Sequence, residues 1–261
     1  MFIGRTLTLL VLTSLAAFAS DHPASDHPPA HGAGPAKGTQ GTKAPKASKA
    51  AAQEAPSPAA SGSRHGPAAG KSAPDEALRR LIAGNKRYVS ATLAHPNQTL
   101  ERRTDQAQGQ TPFAIIVSCS DSRVPPEVVF DQGIGDLFVI RSAGEVVTDV
   151  GIGSIEYAAA HLGVPLIMVM GHERCGAVKA TLDGGEAPGS IGSIVNLIKP
   201  AVDKAKSQGG EVLDNAIRFN VGLVSERIAA SPIIRDKMAR GELKIVRGVY
   251  DLDDGLVKPI P

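Results

Sequence analysis

Short apolar runs alternate with longer amphipathic ones through residues 75–261. FAIIVS (113–118), LFVIR (137–141), PLIMVMG (165–171) and LKIVRGVY (243–250) are brief and rich in β-branched residues, the pattern of strands buried on both faces. Between these runs the apolar spacing shifts to the helical period. Residues 75–89 place Leu78, Leu81 and Ile82 on one face, in a helix that ends at Gly84-Asn85 or runs on to Tyr88. Residues 153–162 are alanine-rich, 177–182 continue as a helix after the third run, and 193–206 and 212–228 carry long amphipathic patterns. Ser231-Pro232 opens another helix with a serine cap and a proline in the first turn. Asp254-Gly255 offers a turn that adds an antiparallel edge. The pattern predicts an α/β fold, a mostly parallel central β-sheet flanked by helices on both faces. In such sheets reactive groups gather beyond the carboxyl ends of the strands.

The first 74 residues follow different rules. Arg5, an uncharged apolar stretch over residues 7–17 and the small residues of Ala17-Phe18-Ala19 read as a signal peptide over residues 1–19. The stretch is short of the roughly 20 apolar residues that span a bilayer. The chain is therefore expected to be exported, periplasmic or secreted, with no membrane span once the signal is removed. Residues 20–74 contain no Ile, Leu, Val, Met, Phe or Tyr, so they cannot bury enough apolar surface to offset the entropy of ordering. They are expected to form a disordered Ala/Pro/Gly/Lys-rich linker, leaving 75–261 as the folded domain. The linker holds His22, His27, His31 and His65, which read as scattered residues of a solvated spacer, with metal collection as the competing role.

Charge divides along the same boundary. The chain carries 28 basic and 26 acidic residues, a net +2, with a pI of about 8.5. The linker and Arg5 supply more than that excess, so the folded part is mildly acidic. This excludes an overall basic nucleic-acid binder.

The candidate chemistry sits after the first and third runs. Cys119-Ser120-Asp121-Ser122-Arg123 follows the first, and His172-Glu173-Arg174-Cys175 follows the third. Both cysteines of the chain thus end buried strands, each with another potential ligand at short spacing. Two thiolates, an imidazole and a carboxylate form a tetrahedral set suited to Zn²⁺. Three other readings compete: a disulfide, which an exported protein permits, two buried small hydrophobes, and a closed structural zinc. A disulfide leaves Asp121 and His172 unexplained. If Arg123 draws Asp121 off the metal through two hydrogen bonds, the fourth position opens to a water whose pKa the metal lowers. A structural site needs no such switch.

C-S-D-S-R-V-P-P-E, G-D-L-F-V-I-R-S-A-G and G-H-E-R-C-G-A-V resemble the β-class carbonic anhydrases, in their exported bacterial form. The match covers most of residues 76–261, including G-N-K-R-Y-V near its start and Y-D-L-D-D-G near its end. The resemblance implies reversible hydration of carbon dioxide to bicarbonate and a proton, with zinc hydroxide as nucleophile. It implies one Zn²⁺ per subunit, held by Cys119, His172 and Cys175. Asp121 and Arg123 match the family's catalytic dyad, and Asp121 also matches the carboxylate that caps the metal in a closed state. Gln110, in G-Q-T-P, matches a glutamine that contacts substrate. Phe138 and Tyr157 fall where the family lines a small apolar pocket, partly across a dimer interface, and Gly176 falls where a backbone N–H approaches substrate. A homodimer or homotetramer acting on a small molecule is expected.

The sequence departs from the family at Arg141-Ser142-Ala143-Gly144-Glu145, which replaces both asparagines of the frequent R-N-A-G-N. That change is expected to alter polar contacts near the pocket or interface. No tryptophan is present, so the allosteric bicarbonate site of one family branch is not expected in that form. His95 and His161 lack a motif and read as surface or helix histidines. Two rivals stand beside the enzyme reading. One is a hydrolase of carbon disulfide or carbonyl sulfide with the same metal set, and the other is a zinc- or bicarbonate-binding protein without turnover.

Overall fold

A computed structural model describes residues 73–261. The expected signal peptide and almost all of the linker lie outside the described residues. Helix α1 (Ala73–Val89) runs past Gly84-Asn85 to the farther of the two expected ends. Gly84 is there for contact rather than termination, since a Cβ at this position would stand 1.8 Å from the Phe130 carbonyl oxygen. Asn85, 3% exposed, donates to the carbonyls of Val129 and Gly255 and accepts from the Val257 N–H. A polar residue thus pins the helix to two distant segments.

Two short helices escaped the periodicity argument because each is too short to show a period. Helix α2 (Leu100–Gln106) is capped by Thr99, whose hydroxyl accepts from the Arg102 N–H at 3.2 Å. Helix α3 (Pro126–Val129) follows Pro125.

The strands are β1 (Ala114–Cys119), β2 (Leu137–Ser142), β3 (Leu166–His172), β4 (Lys244–Tyr250) and β5 (Val257–Pro259). Their order across the sheet is β2-β1-β3-β4-β5. The first four are parallel, and β5 pairs antiparallel with β4 after the Asp254-Gly255 turn, as expected. The side-chain period of two splits the sheet into two cores. Ile115, Val117, Ile167 and Val169 pack with Ile155 of α4 (Asp149–His161), Val224 of α7 (Val212–Ala229) and Ile234 of α8 (Pro232–Ala239). On the other face Ile116, Met168 and Met170 pack with Leu81 of α1, Val178 of α5 (Gly176–Asp183) and Ile198 of α6 (Ile191–Lys206). Helices on both faces leave the strand ends as the accessible rim. Because β1 and β3 are neighbours, with Ser118 opposite Met170, the segments carrying Cys119 and His172 emerge side by side.

Candidate metal centre

Cys119 is the last residue of β1, His172 the last of β3, and Cys175 the cap before α5. One ligand atom from each lies within 4.8 Å of the other two, and all three residues are buried. His172 Nδ1 donates to the Glu173 carbonyl at 2.9 Å. That bond fixes the tautomer and leaves the Nε2 lone pair free. Nε2 is buried without a hydrogen-bond partner, an arrangement that costs stability unless something binds there. No disulfide joins the cysteines. Two soft sulfurs and one imidazole nitrogen suit Zn²⁺.

The Cys119 sulfur is prepared for charge. A hydrogen bond from the Cys175 thiol, with two backbone N–H groups, outweighs burial and holds the Cys119 thiol well below the usual range. The backbone donors are Asp121 at 3.4 Å and Gly144 at 3.3 Å. Cys175, as the donor in that pair, is pushed up. A cation bound here would draw off the thiol protons that remain.

Asp121 stands just outside the three ligand atoms. Arg123 grips its carboxylate with two prongs, Nε to Oδ1 at 2.9 Å and Nη2 to Oδ2 at 2.8 Å, and the Arg123 N–H adds a third bond at 3.0 Å. These bonds hold the carboxyl far below the usual range. Its Oδ2 is 3.8 Å from His172 Nε2. Asp121 is thus paired with Arg123 while remaining beside the ligand cluster.

The other expected site residues are spread out. Gly176 begins α5 directly after Cys175, with open space where a Cβ would project. Phe138 and Tyr157 lie together, their ring centroids 6.5 Å apart, but Phe138 is opposite Ile115, well short of the Cys119 end. Gln110 is exposed ahead of β1, and the strand separating it from Cys119 extends about 17 Å. Within one chain these three residues do not join the metal cluster. His161 is exposed and stacks on Tyr157 at 5.4 Å, and His95 is held by its own backbone N–H to Asp131.

Three residues take supporting roles that the sequence did not assign them. Arg141 donates from Nε to the Cys119 carbonyl and from Nη2 to the Asp121 carbonyl, holding the ligand loop from β2. Its signal was only a charged residue at a strand end. Glu145 is 1% exposed, over Gly171, and burial pushes its carboxyl up to about 8. Asn220, 0% exposed, donates to the Glu145 carboxyl at 2.7 Å. An asparagine on the apolar face of residues 212–228 was the legible sign.

A buried cysteine–histidine–cysteine cluster at the carboxyl ends of a parallel sheet defines a zinc enzyme of α/β type. Residues 114–257 match the family model described as carbonic anhydrase. The chain is 42% identical over 187 residues to carbonic anhydrase 2 of Mycobacterium tuberculosis, covering 70% of this chain and 90% of that protein. It is 43% identical over 193 residues to a carbonic anhydrase of Mycolicibacterium smegmatis, covering 71% and 92%. A tetrameric β-carbonic anhydrase of Sordaria macrospora superposes with a TM-score of 0.58 at 25% identity, over 71% of this chain and 97% of that one. The Coccomyxa β-carbonic anhydrase, solved with acetazolamide, gives 0.56 at 30% identity over 70% and 86%. This chain belongs to the β-class carbonic anhydrases.

Proposed function

We propose that the chain hydrates carbon dioxide reversibly, with Asp121 and Arg123 as the groups that act beside the metal. Cys119, His172 and Cys175 would hold Zn²⁺, which when bound lowers the pKa of a coordinated water toward neutrality and supplies the nucleophile. The observation that carries the reading is the two-pronged Arg123 grip on Asp121 at 2.9 and 2.8 Å, beside a buried Nε2 without a partner. Held this way, Asp121 presents an acceptor next to the metal position rather than occupying it. As an ionised carboxylate it accepts a proton-bearing group and orients it, while Arg123 keeps it from swinging onto the metal. Gly176 leaves its side of the cluster open for a small uncharged substrate.

Gln110, Phe138 and Tyr157 fit this reading as contributions to the site of a second copy. Val150 and Tyr157 project from one side of α4, 82% and 49% exposed, an apolar surface suited to a copy of the same chain. We therefore propose an oligomer of at least two subunits, exported to the periplasm or the medium.

The test is metal analysis with stopped-flow carbon dioxide hydration on the wild-type protein and on Asp121→Asn. Zinc near one per subunit is expected in both, with turnover lower by about a hundredfold or more in the variant. Zinc-loaded protein idle at pH 8 and above would sink the enzyme reading. Turnover of carbonyl sulfide in preference to carbon dioxide would replace the substrate.

A further inference from the structure

We propose that Asn220 and Glu145 act as a positioning latch on the Cys119 sulfur, holding the Gly144 N–H against it. The inference rests on Cys119 being a metal ligand. After β2 the backbone turns through Gly144 (φ 66°, ψ 28°) and Glu145 (φ 44°). Two successive left-handed residues are uncommon, and the second is not glycine, so the turn needs outside support. Asn220 of α7 supplies it. One amide nitrogen, Nδ2, donates to the Gly144 carbonyl at 2.7 Å and to Glu145 Oε1 at 2.7 Å. The same peptide turn points the Gly144 N–H at Cys119 Sγ, 3.3 Å away.

Each part constrains the next. A side chain at Gly144 would be strained by the φ of 66° and would have to displace Ile198 Cδ1, 2.6 Å from the Cβ position. Glu145 and Asn220 are 1% and 0% exposed, so water does not compete for their bonds. An N–H donor on a thiolate withdraws charge from the sulfur and fixes its direction. A residue from α7 that touches no ligand atom therefore sets how strongly, and from where, Cys119 donates to the metal. Sequence comparison alone presents Glu145 as an altered residue of a polar motif, and the structure gives that change a partner.

The experiment is cobalt(II) substitution of the zinc protein, reading the thiolate-to-cobalt charge-transfer band, together with zinc competition against a chromophoric chelator. In Asn220→Ala the band should move to longer wavelength, because the sulfur regains charge, and zinc affinity should fall by about tenfold or more. Glu145→Gln keeps an acceptor oxygen for Asn220 and should retain the wild-type band and affinity. If Asn220→Ala does not fold, Asn220→Ser replaces it, its shorter hydroxyl being unable to span both acceptors, with the same shift expected. An unmoved band in the folded Asn220 variant, with only thermal stability lost, would overturn the latch. So would a Glu145→Gln shift as large as that of the Asn220 variant, which would make the acid itself responsible. Absence of any charge-transfer band in the wild-type protein would refute the metal ligation instead, and the latch with it.

Discussion

The value of Arg123 to the site is directional. A lysine would supply the same charge but only one point of attachment, whereas the guanidinium binds both Asp121 oxygens at once. Arg123→Lys should therefore retain zinc and lose turnover by about tenfold to a hundredfold. Turnover equal to wild type would show that charge alone suffices. Asp131 plays a comparable structural part away from the metal. Its buried carboxylate accepts from Arg87 Nε at 2.5 Å and from the N–H groups of Ala94 and His95 at 2.9 and 3.0 Å. Burial opposes the charge, yet these donors win and hold its pKa below the usual value. A depressed folded-state pKa contributes stability that is complete above the unfolded value of about 3.9 and is lost as pH falls through the folded one. Asp131→Asn should thus melt well below wild type at pH 7, by roughly 2 kcal/mol or more. The gap should narrow steadily below pH 4 in paired melts, and a gap independent of pH would rule out the carboxylate as its source.

Helix α1 shows how a local rule can mislead when tertiary contact decides. Gly84-Asn85 has the chemistry of a helix end, yet the helix continues because Gly84 meets the Phe130 carbonyl and Asn85 binds three backbone groups. Gly84→Ala gains about 1 kcal/mol of helix propensity and loses about 3 kcal/mol to overpacking against backbone, so the variant should melt lower. Gly222 provides the contrast. It lies inside α7 with nothing within 4 Å of a would-be Cβ, and Gly222→Ala should stabilise by about 1 kcal/mol. Equal responses at the two positions in thermal denaturation would contradict the packing account. These cases also mark what was legible beforehand. The four parallel strands, the antiparallel edge and the long helices could be read because their patterns are local. Cys119, His172 and Cys175 were legible because ligand chemistry concentrates at short spacings beside strand ends. The bridge from Arg141 and the Asn220–Glu145 contact were not. Each depends on which segments become neighbours, and 75 residues separate Glu145 from Asn220.

The sheet carries a full core on each face, and neither depends on the metal for its burial. Ile115, Val117, Ile167 and Val169 are shielded by α4, α7 and α8, and Ile116, Met168 and Met170 by α1, α5 and α6. Small metal-dependent domains differ, because there the ion stands in for a core. Here removal of zinc should cost stability without unfolding the chain, since the ligands sit at strand ends already fixed by hydrogen-bonded neighbours. The size of the loss follows from mass action: an ion present at a thousand times its dissociation constant contributes about 4 kcal/mol. For a folded unit of this length each kcal/mol moves the melting temperature by about 2–4 °C. Stripping the metal with a chelator should therefore lower melting by roughly 8–16 °C. Far-UV circular dichroism at 25 °C should stay unchanged, and added zinc should restore the higher melting point in a concentration-dependent way. Loss of the helical signal at 25 °C would mean that the metal organises the sheet, and an unchanged melting point would mean that no ion binds the native cluster.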